Sequence, residues 1–377
     1  MKRADARECN GREKRRKVHM KSFFSDKRVM VTGCCGTVGS ELLAQLIDKY
    51  EVGEVIGLDN NESELFFTEQ AWSRTKGASF FLADIRDQHS LSEKMEDVDI
   101  VFHSAAFKHV GLCEKSPMQA VQNNIFGVQN IIEAATGQGV ERVIFTSSDK
   151  AVNPTNVMGT SKLMGERLMT AANSNARNGK SKFASTRFGN VLGSRGSVIP
   201  IFREQIRKGG PVTLTDDSMT RFIMSIEQAA ELVIDSSTIV QGGEVFITKM
   251  PVIRIRDLAE VMIRELAPVY GHKPEDVDIT VIGAKPGEKM YEELMSVEET
   301  RRTLELERYF AVLPAFTSIY RAVEYEYRDL LNEDVVNPYH SGNEQALDHE
   351  GVLGFLVDNG LLADFESSQH PDERHWP

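Results

Sequence analysis

RVMVTGCCGTVGSELLAQLIDKYEVGEVIGLD, residues 28–59, is the stretch that decides the fold. Arg28–Thr32 is branched and apolar enough to read as a strand. Gly33-Cys34-Cys35-Gly36-Thr37-Val38-Gly39 follows, a G-x-x-G-x-x-G loop one residue wider at its first gap than the usual dinucleotide fingerprint. Glu41–Tyr50 then has helical spacing, and Val55–Leu58 reads as a second strand ending in Asp59. Glycines allow a tight turn and close backbone approach, and a helix N-terminus offers free N–H groups to a pyrophosphate. Gly33, Gly36, Thr37, Val38 and Gly39 are therefore the candidate phosphate cradle. Asp59 lies 20 residues after Gly39, where a carboxylate binds the adenosine ribose hydroxyls. An acid there repels a 2′-phosphate, so the reading is NAD rather than NADP. A glycine loop alone is often only a turn. Here strand, loop, helix and acid come in the required order.

Outward from this unit, strands and helices alternate as in a doubly wound parallel sheet, so the fold class is α/β. Phe80–Ala83 reads as a strand leading to Asp84-Ile85, and Ile100–His103 as another leading to Ser104-Ala105-Ala106. Small residues after a strand let a cofactor lie against the backbone. Met118–Gln138, which contains Asn124 and Gly127, reads as one long helix. Lys182–Phe188 and Gly243–Ile247 read as further strands, Arg195–Gly210 and Ile226–Thr238 as helices. Residues 257–270 and 288–309 read as helical, and Tyr339–Leu362 as a final helix pair after Asn337-Pro338.

Arg142–Phe145 is a short strand, and TSSDKAVNPTNVMGTSK, residues 146–162, leaves its carboxyl end. In this architecture ligands bind there. Ser148, Asp149 and Lys150 stand in a row, and a helix begins near Met158, which places Met158 and Lys162 on one helical face. A carboxyl and an amine on a strand end, facing a helical lysine, suit proton transfer. Standing alone, the same residues would read equally well as a surface loop with an ion pair.

The chain has 377 residues, 41% hydrophobic and 27% charged, an ordinary globular composition. Its net charge of −12 argues against a nucleic-acid protein. Residues 1–17 carry eight Lys/Arg against three acids, a net of +5, leaving −17 for residues 18–377. With no apolar run behind it, this basic stretch is not a signal peptide and is expected to be a disordered extension over 1–25. Four cysteines show neither disulfide framework nor metal spacing, and nothing approaches about 18 uninterrupted apolar residues. A cytoplasmic location without a membrane span is expected, and no metal.

In these motifs the chain resembles the extended short-chain dehydrogenase/reductases, and residues 26–330 resemble the nucleotide-sugar 4,6-dehydratases of polysaccharide biosynthesis, which act on UDP-N-acetylglucosamine. The matching words are Ala105-Ala-Phe-Lys-His-Val110, Asn124-x-x-Gly127, Ser148-Asp-Lys-Ala-Val-Asn-Pro-Thr-Asn156, Arg187-Phe-Gly-Asn-Val191, Gly193-Ser-Arg-Gly-Ser197, Met219-Thr-Arg221 and Pro286-Gly-Glu-Lys289. The resemblance implies a Rossmann domain over 26–192, completed by 243–248, a substrate-binding region over 193–335 and a helical C-terminal extension over 336–377. It implies that Asp84, Ile85, Ala105, Ala106, Lys108, Asn124 and Lys162 join the glycine loop and Asp59 around NAD. Lys108, His109, Asn190, Arg195, Arg221 and Glu288 are implied for the substrate; arginine suits bidentate contact with a diphosphate. Arg207 and Arg256 are expected to make only surface ion pairs. The family usually has Arg where Lys285 stands, and lysine lacks the fork geometry.

The implied reaction is oxidation of the hexose at C4, loss of water across C5 and C6, and reduction at C6. Lys150 is implied as the C5 base, Asp149 as the acid at O6, Ser148 as a hydrogen-bond partner of O4 and Lys162 as a ribose ligand. Dehydrogenases of this class carry Tyr four residues before the Lys, where this chain has Met158, and a thioether takes no proton. The C4-hydroxyl base therefore stays open among Asp149, Lys162 and a water held by Ser148. In the resembling family Tyr at this position accompanies inversion at C5 and Met accompanies retention, so retention is expected. A homo-oligomer is expected through the helices Met118–Gln138 and Met158–Ala176, with Ile131, Leu163 and Leu168 in the interface. The rival readings are a nucleotide-sugar epimerase, which needs no acid and base at C5 and C6, and a non-catalytic NAD-binding regulator. UDP and GDP sugars would satisfy the same arginines.

Overall fold

The computed structural model describes residues 20–175, 181–194, 197–283, 289–316 and 323–363. Two compact units result. Of the described residues, the first takes those up to Gly189 with those of Ile226–Lys249 and Glu292–His340; the second takes those of Asn190–Ser225 and Met250–Tyr291 and those from Ser341. Residues 226–249 and 292–340, expected largely in the substrate-binding region, thus fold with the first unit.

Six strands form the heart of the first unit: β1 (Arg28–Thr32), β2 (Glu54–Asp59), β3 (Ala78–Leu82), β4 (Ile100–His103), β5 (Arg142–Ser148) and β6 (Lys182–Phe188). They lie in the order β3-β2-β1-β4-β5-β6 and every pair is parallel. In this order the winding reverses between β1 and β4, which opens a crevice beyond their carboxyl ends. β1, β4 and β5 are buried over almost their whole length, which is why they read as continuous apolar runs instead of alternating ones. Leu42, Leu43 and Leu46 of the helix Thr37–Asp48 and Val128, Ile131 and Ala135 of the helix Gly127–Gln138 are fully buried. Val245–Thr248 pairs parallel to β6, and Tyr309–Val312, Thr303–Leu306 and Leu330–Asn332 extend the sheet antiparallel.

Four expectations need correction. The long helix Met118–Gln138 is broken into Pro117–Val121, a π-helical turn Gln122–Phe126 and Gly127–Gln138, after a separate short helix Val110–Lys115. The π turn carries Asn124, whose amide grips the Phe107 backbone. Among the described residues of 288–309 only Val297–Thr300 is helical; Glu293–Met295, Thr303–Leu306 and Tyr309–Val312 are strands, because cross-strand partners outweigh local helix preference. Tyr339–Leu362 is no helix pair: Tyr339–His340 pairs with Glu293–Met295, and one helix follows, His349–Asp358, capped by Asp348. Residues 20–25 are no extension either. Met20–Phe24 is a helical turn with Met20 and Phe24 buried; the Phe24 ring lies 5.7 Å from that of Tyr50. Residues 1–19 lie outside the described residues.

The second unit has its own core. Ile199, Phe202 and Ile206 of the helix Val198–Arg207 pack with Leu258 and Met262 of Ile255–Leu266 and Val352 and Leu356 of His349–Asp358. Beside them stand a sheet of Val252–Arg254, Thr220–Met224 and Asn190–Val191 and a parallel pair of Val212–Leu214 and Ile279–Val281. Among the described residues, no helix is long and apolar enough to cross a membrane.

Candidate active site

The glycine loop leaves β1 and enters the helix Thr37–Asp48 at Gly36, which caps it without a side-chain hydrogen bond. Thr37 and Val38 are its first residues, so their N–H groups belong to the open helix end. Gly33 has φ +70°, and a Cβ there would lie 2.7 Å from the Ala105 backbone. A Cβ on Gly39 would lie 2.0 Å from the Gly33 carbonyl oxygen, so only glycine fits. Asp59 ends β2; its carboxylate accepts from the Cys35 and Asn61 N–H groups, both at 3.0 Å. Each oxygen keeps a further lone pair for a hydroxyl donor. A bare backbone cradle, an open helix end and an oriented carboxylate fit a dinucleotide.

Around β3 and β4 the supporting residues divide. Asp84 accepts from the Arg86 guanidinium at 2.6 and 2.9 Å, and this hydrogen bonding holds its carboxyl at about 2. Ile85 is buried where a Cβ on Gly127 would strike it at 2.6 Å, and its carbonyl accepts from Asn130. Asn124 is a positioning group: its amide accepts from Phe107 N–H at 2.8 Å and donates to the Phe107 carbonyl and to Ser161 Oγ. It thereby fixes the segment holding Ala105 and Ala106, which are half-buried, while Lys108 and His109 are exposed.

At the end of β5 the backbone enters a single 3-10 turn, Asp149–Ala151. Ser148 Oγ donates to Asp149 Oδ1 at 2.6 Å, and Lys150 Nζ donates to both Asp149 oxygens at 3.0 Å. Asp149 is only 6% exposed, whereas the Lys150 side chain is 35% exposed. Lys162, buried one helix away, donates to the Thr146 carbonyl at 3.0 Å and lies 4.5 Å from the centre of the Phe145 ring. Burial lowers its pKa to about 8, against the opposing pull of Glu166. Met158 is 3% exposed and packs with Cys113 and Ala120 in a small apolar cluster.

Three participants were not foreseen. Glu166, one turn beyond Lys162, accepts from Ser147 Oγ at 2.6 Å and from two nitrogens of Arg187. Arg187 also reaches Glu299 and the Leu294 carbonyl. The two carboxylates raise the guanidinium pKa, and Arg187 in turn brings Glu299 to about 2 against its burial. His103, buried at the end of β4, bonds Thr32 Oγ1 at 2.7 Å and stacks on Phe145. Burial, then the Lys162 charge, lower its pKa to about 3. One signal was available for Arg187: it lies inside a strand, where a charge is rarely buried unless paired.

The remaining candidates fall in the second unit or outside the described residues. Asn190 starts the strand beside Thr220–Met224. Arg221 donates to the carbonyls of Thr220, Lys289 and Met290, so part of its fork holds this unit's own backbone. Arg195 and Glu288 lie outside the described residues. Arg207 pairs with Glu204, and Arg256 with Asp217 and Glu260, as surface ion pairs.

Known proteins resemble the chain at several levels. An uncharacterized membrane protein of Methanocaldococcus jannaschii is 50% identical over 293 residues, 78% of this chain and 87% of that one. A UDP-N-acetylglucosamine 4,6-dehydratase (inverting) of Campylobacter jejuni is 38% identical over 294 residues, 78% and 84% of the two chains. A UDP-glucose 4-epimerase of Rickettsia bellii is 36% identical over 342 residues, 89% and 96%. The crystal structure of Pen from Bacillus thuringiensis superposes with a TM-score of 0.79 at 40% identity, covering 89% of this chain and 98% of that one. The polysaccharide biosynthesis protein family matches residues 29–314, and with these relatives that match makes the chain a member of this family of sugar dehydratases and epimerases.

Proposed function

We propose that the chain is an NAD-dependent nucleotide-sugar 4,6-dehydratase that converts UDP-N-acetylglucosamine to a UDP-2-acetamido-4-keto-2,6-dideoxyhexose. The observation that carries this reading is the Asp149–Lys150 pair at the carboxyl end of β5, hydrogen-bonded through both carboxylate oxygens. Elimination across C5 and C6 needs an acid and a base on adjacent carbons, and epimerisation at C4 needs neither. NAD, when bound in the cradle of Gly33, Gly36 and Gly39 with Asp59 on the ribose, supplies the oxidation at C4 and the reduction at C6.

The chain's own groups supply the protons. As an ion pair, Asp149 and Lys150 hold the right number of protons in the wrong places. Transfer along the 3.0 Å hydrogen bond gives a neutral amine and a carboxylic acid. Once C4 is a ketone, its α-proton at C5 is acidic enough for Lys150 to remove. The C5–H electrons form the C5=C6 bond, the C6–O bond breaks, and Asp149 protonates the departing oxygen so that water leaves. Lys150 then returns its proton to C5. Ser148, already donating to Asp149, orients the carboxyl and has a lone pair for the sugar O4. Burial brings Lys162 to about 8, which supports it as ribose ligand and as the group that lowers the C4-hydroxyl pKa.

Incubation with UDP-N-acetylglucosamine should give a product lighter by one water. An unchanged mass with a new epimer would make the chain an epimerase; no product with NAD bound would make it a regulator. The expected product retains the C5 configuration, because Met158 sits in an apolar cluster and has no proton to offer the opposite face. The Campylobacter jejuni relative is named as inverting, so NMR couplings of the fresh product decide: an L-arabino first product would overturn retention.

A further inference from the structure

Cys34 and Cys35 lie inside the glycine loop, but their side chains form no part of the cradle, which is built from glycine backbone and the helix end; Cys34 is fully buried and Cys35 Sγ lies 3.6 Å from Thr68 Oγ1. Their Sγ atoms are 3.9 Å apart. Both sulfurs and an Asp59 carboxylate oxygen lie within 4.8 Å of one another. Zinc–sulfur bonds of about 2.3 Å at the tetrahedral angle put two sulfurs about 3.8 Å apart, close to the spacing already present. Asp59 is oriented by the N–H groups of Cys35 and Asn61, the kind of outer hydrogen bonding that prepares a carboxylate ligand. Cys34 is buried and Cys35 half-buried, so an ion would enter from the Cys35 side, where a fourth position stays open to water. The second cluster of ligating groups among the described residues, Asp257, Glu260 and His349, is less suited. Arg254 and Arg256 already place positive charge on Asp257 and Glu260.

We infer that Cys34, Cys35 and Asp59 form a site for a thiophilic divalent cation of the zinc class, and that this ion and the adenosine end of the dinucleotide exclude one another. The exclusion rests on the reading of Asp59 as the ribose ligand given above; the cation site does not. One carboxylate cannot serve an ion seated between the two sulfurs and also two ribose hydroxyls. The chain would therefore lose its cofactor when zinc-class ions are abundant.

Cobalt(II), which reports thiolate ligation by a near-ultraviolet charge-transfer band, is the probe. Titrated into the full chain carrying Cys9→Ser and Cys113→Ser, it should develop the band and saturate at one ion per chain. Adding Cys35→Ser should abolish the band and weaken zinc, measured against a chromophoric chelator, by roughly tenfold or more. Cys34→Ser should do the same. In wild type the apparent Kd for NAD should rise in proportion to free zinc, and in the Cys34→Ser/Cys35→Ser chain zinc should leave it unchanged. No thiolate band in the parent chain, or a band surviving both serine substitutions, overturns the cation site. A band together with NAD affinity indifferent to zinc overturns the exclusion. A chain that takes cobalt but binds no NAD in metal-free buffer sinks the dinucleotide reading and the exclusion with it, while the cation site stands.

Discussion

Lys162 sits where burial works against its charge. Unfolded, its amine titrates near the ordinary lysine value of 10.5; folded, burial brings it to about 8. Below about pH 8 both states hold the proton, and the native chain bears the full cost of burying it. Between about 8 and 10.5 the unfolded chain binds more protons, so stability should rise with pH, by up to about 3 kcal/mol. Lys162→Met should remove that rise, which urea denaturation of the ligand-free chain across this window would measure; equal pH slopes in both proteins would refute the assignment. Neighbouring roles separate by isotope. Lys150→Ala should stop solvent deuterium entering C5 while substrate still binds, and Asp149→Asn should slow water loss more than oxidation at C4. General acid–base groups contribute roughly 10²–10⁴-fold, so undiminished turnover in either variant removes that residue from the chemistry. This pair was legible in the sequence because its members are adjacent and follow a strand. The partners of Arg187 were not, because Glu166 and Glu299 lie 21 and 112 residues away.

At the scale of elements, the same arginine fastens three segments at the site's rim. From β6 it reaches Glu166 on the helix Val157–Asn175, and Leu294 and Glu299 in the segment that leads into the antiparallel strands. Ser147 of β5 shares Glu166, so the strand end carrying Ser148 and Asp149 hangs from this network. Arg187→Leu would leave two buried carboxylates without their cation, at a cost of roughly 3–5 kcal/mol. A loss below about 1 kcal/mol in chemical denaturation would show that water reaches the network and compensates it. β1, β4 and β5 were readable because they are buried over almost their whole length and carry apolar runs, and the edge strand β3, half-buried to exposed, was readable from its apolar run Phe80–Leu82 alone. Thr303–Leu306 was not readable. EETRRTLELERY, residues 298–309, offers charges at helical spacing, and only pairing with Tyr309–Val312 and Leu330–Asn332 makes a strand of it. The break before Gly127 was hidden for a similar reason, because the Phe107 backbone that Asn124 grips lies 17 residues back.

For the whole molecule, the exposed apolar side chains bear on how many chains act together. Of the apolar residues first expected at an interface, Ile131 is fully buried in the sheet core and cannot meet a second copy, while Leu163 and Leu168 are half-buried. Other residues are more exposed. Leu112, Met118, Phe126 and Met164 are 64%, 61%, 57% and 45% exposed, on helices 110–126 and 157–175 that pack together in the first unit. Four large apolar side chains are thus exposed on adjoining helices, the kind of exposure that marks an interaction surface when it is contiguous. A two-fold contact uses each residue twice. At about half exposure these side chains gain on the order of 10 kcal/mol gross on burial, within the range of association costs of about 4–15 kcal/mol. We propose that these residues form the centre of a homo-oligomer interface, with further burial around them supplying the rest of the about 8 kcal/mol that micromolar association needs. Phe126→Asp with Met164→Asp should yield single chains with an unchanged melting temperature, since both side chains already face solvent. Light scattering at micromolar concentration decides: a wild-type mass of one chain would sink the assembly, and an assembly persisting in the double variant would place its interface elsewhere.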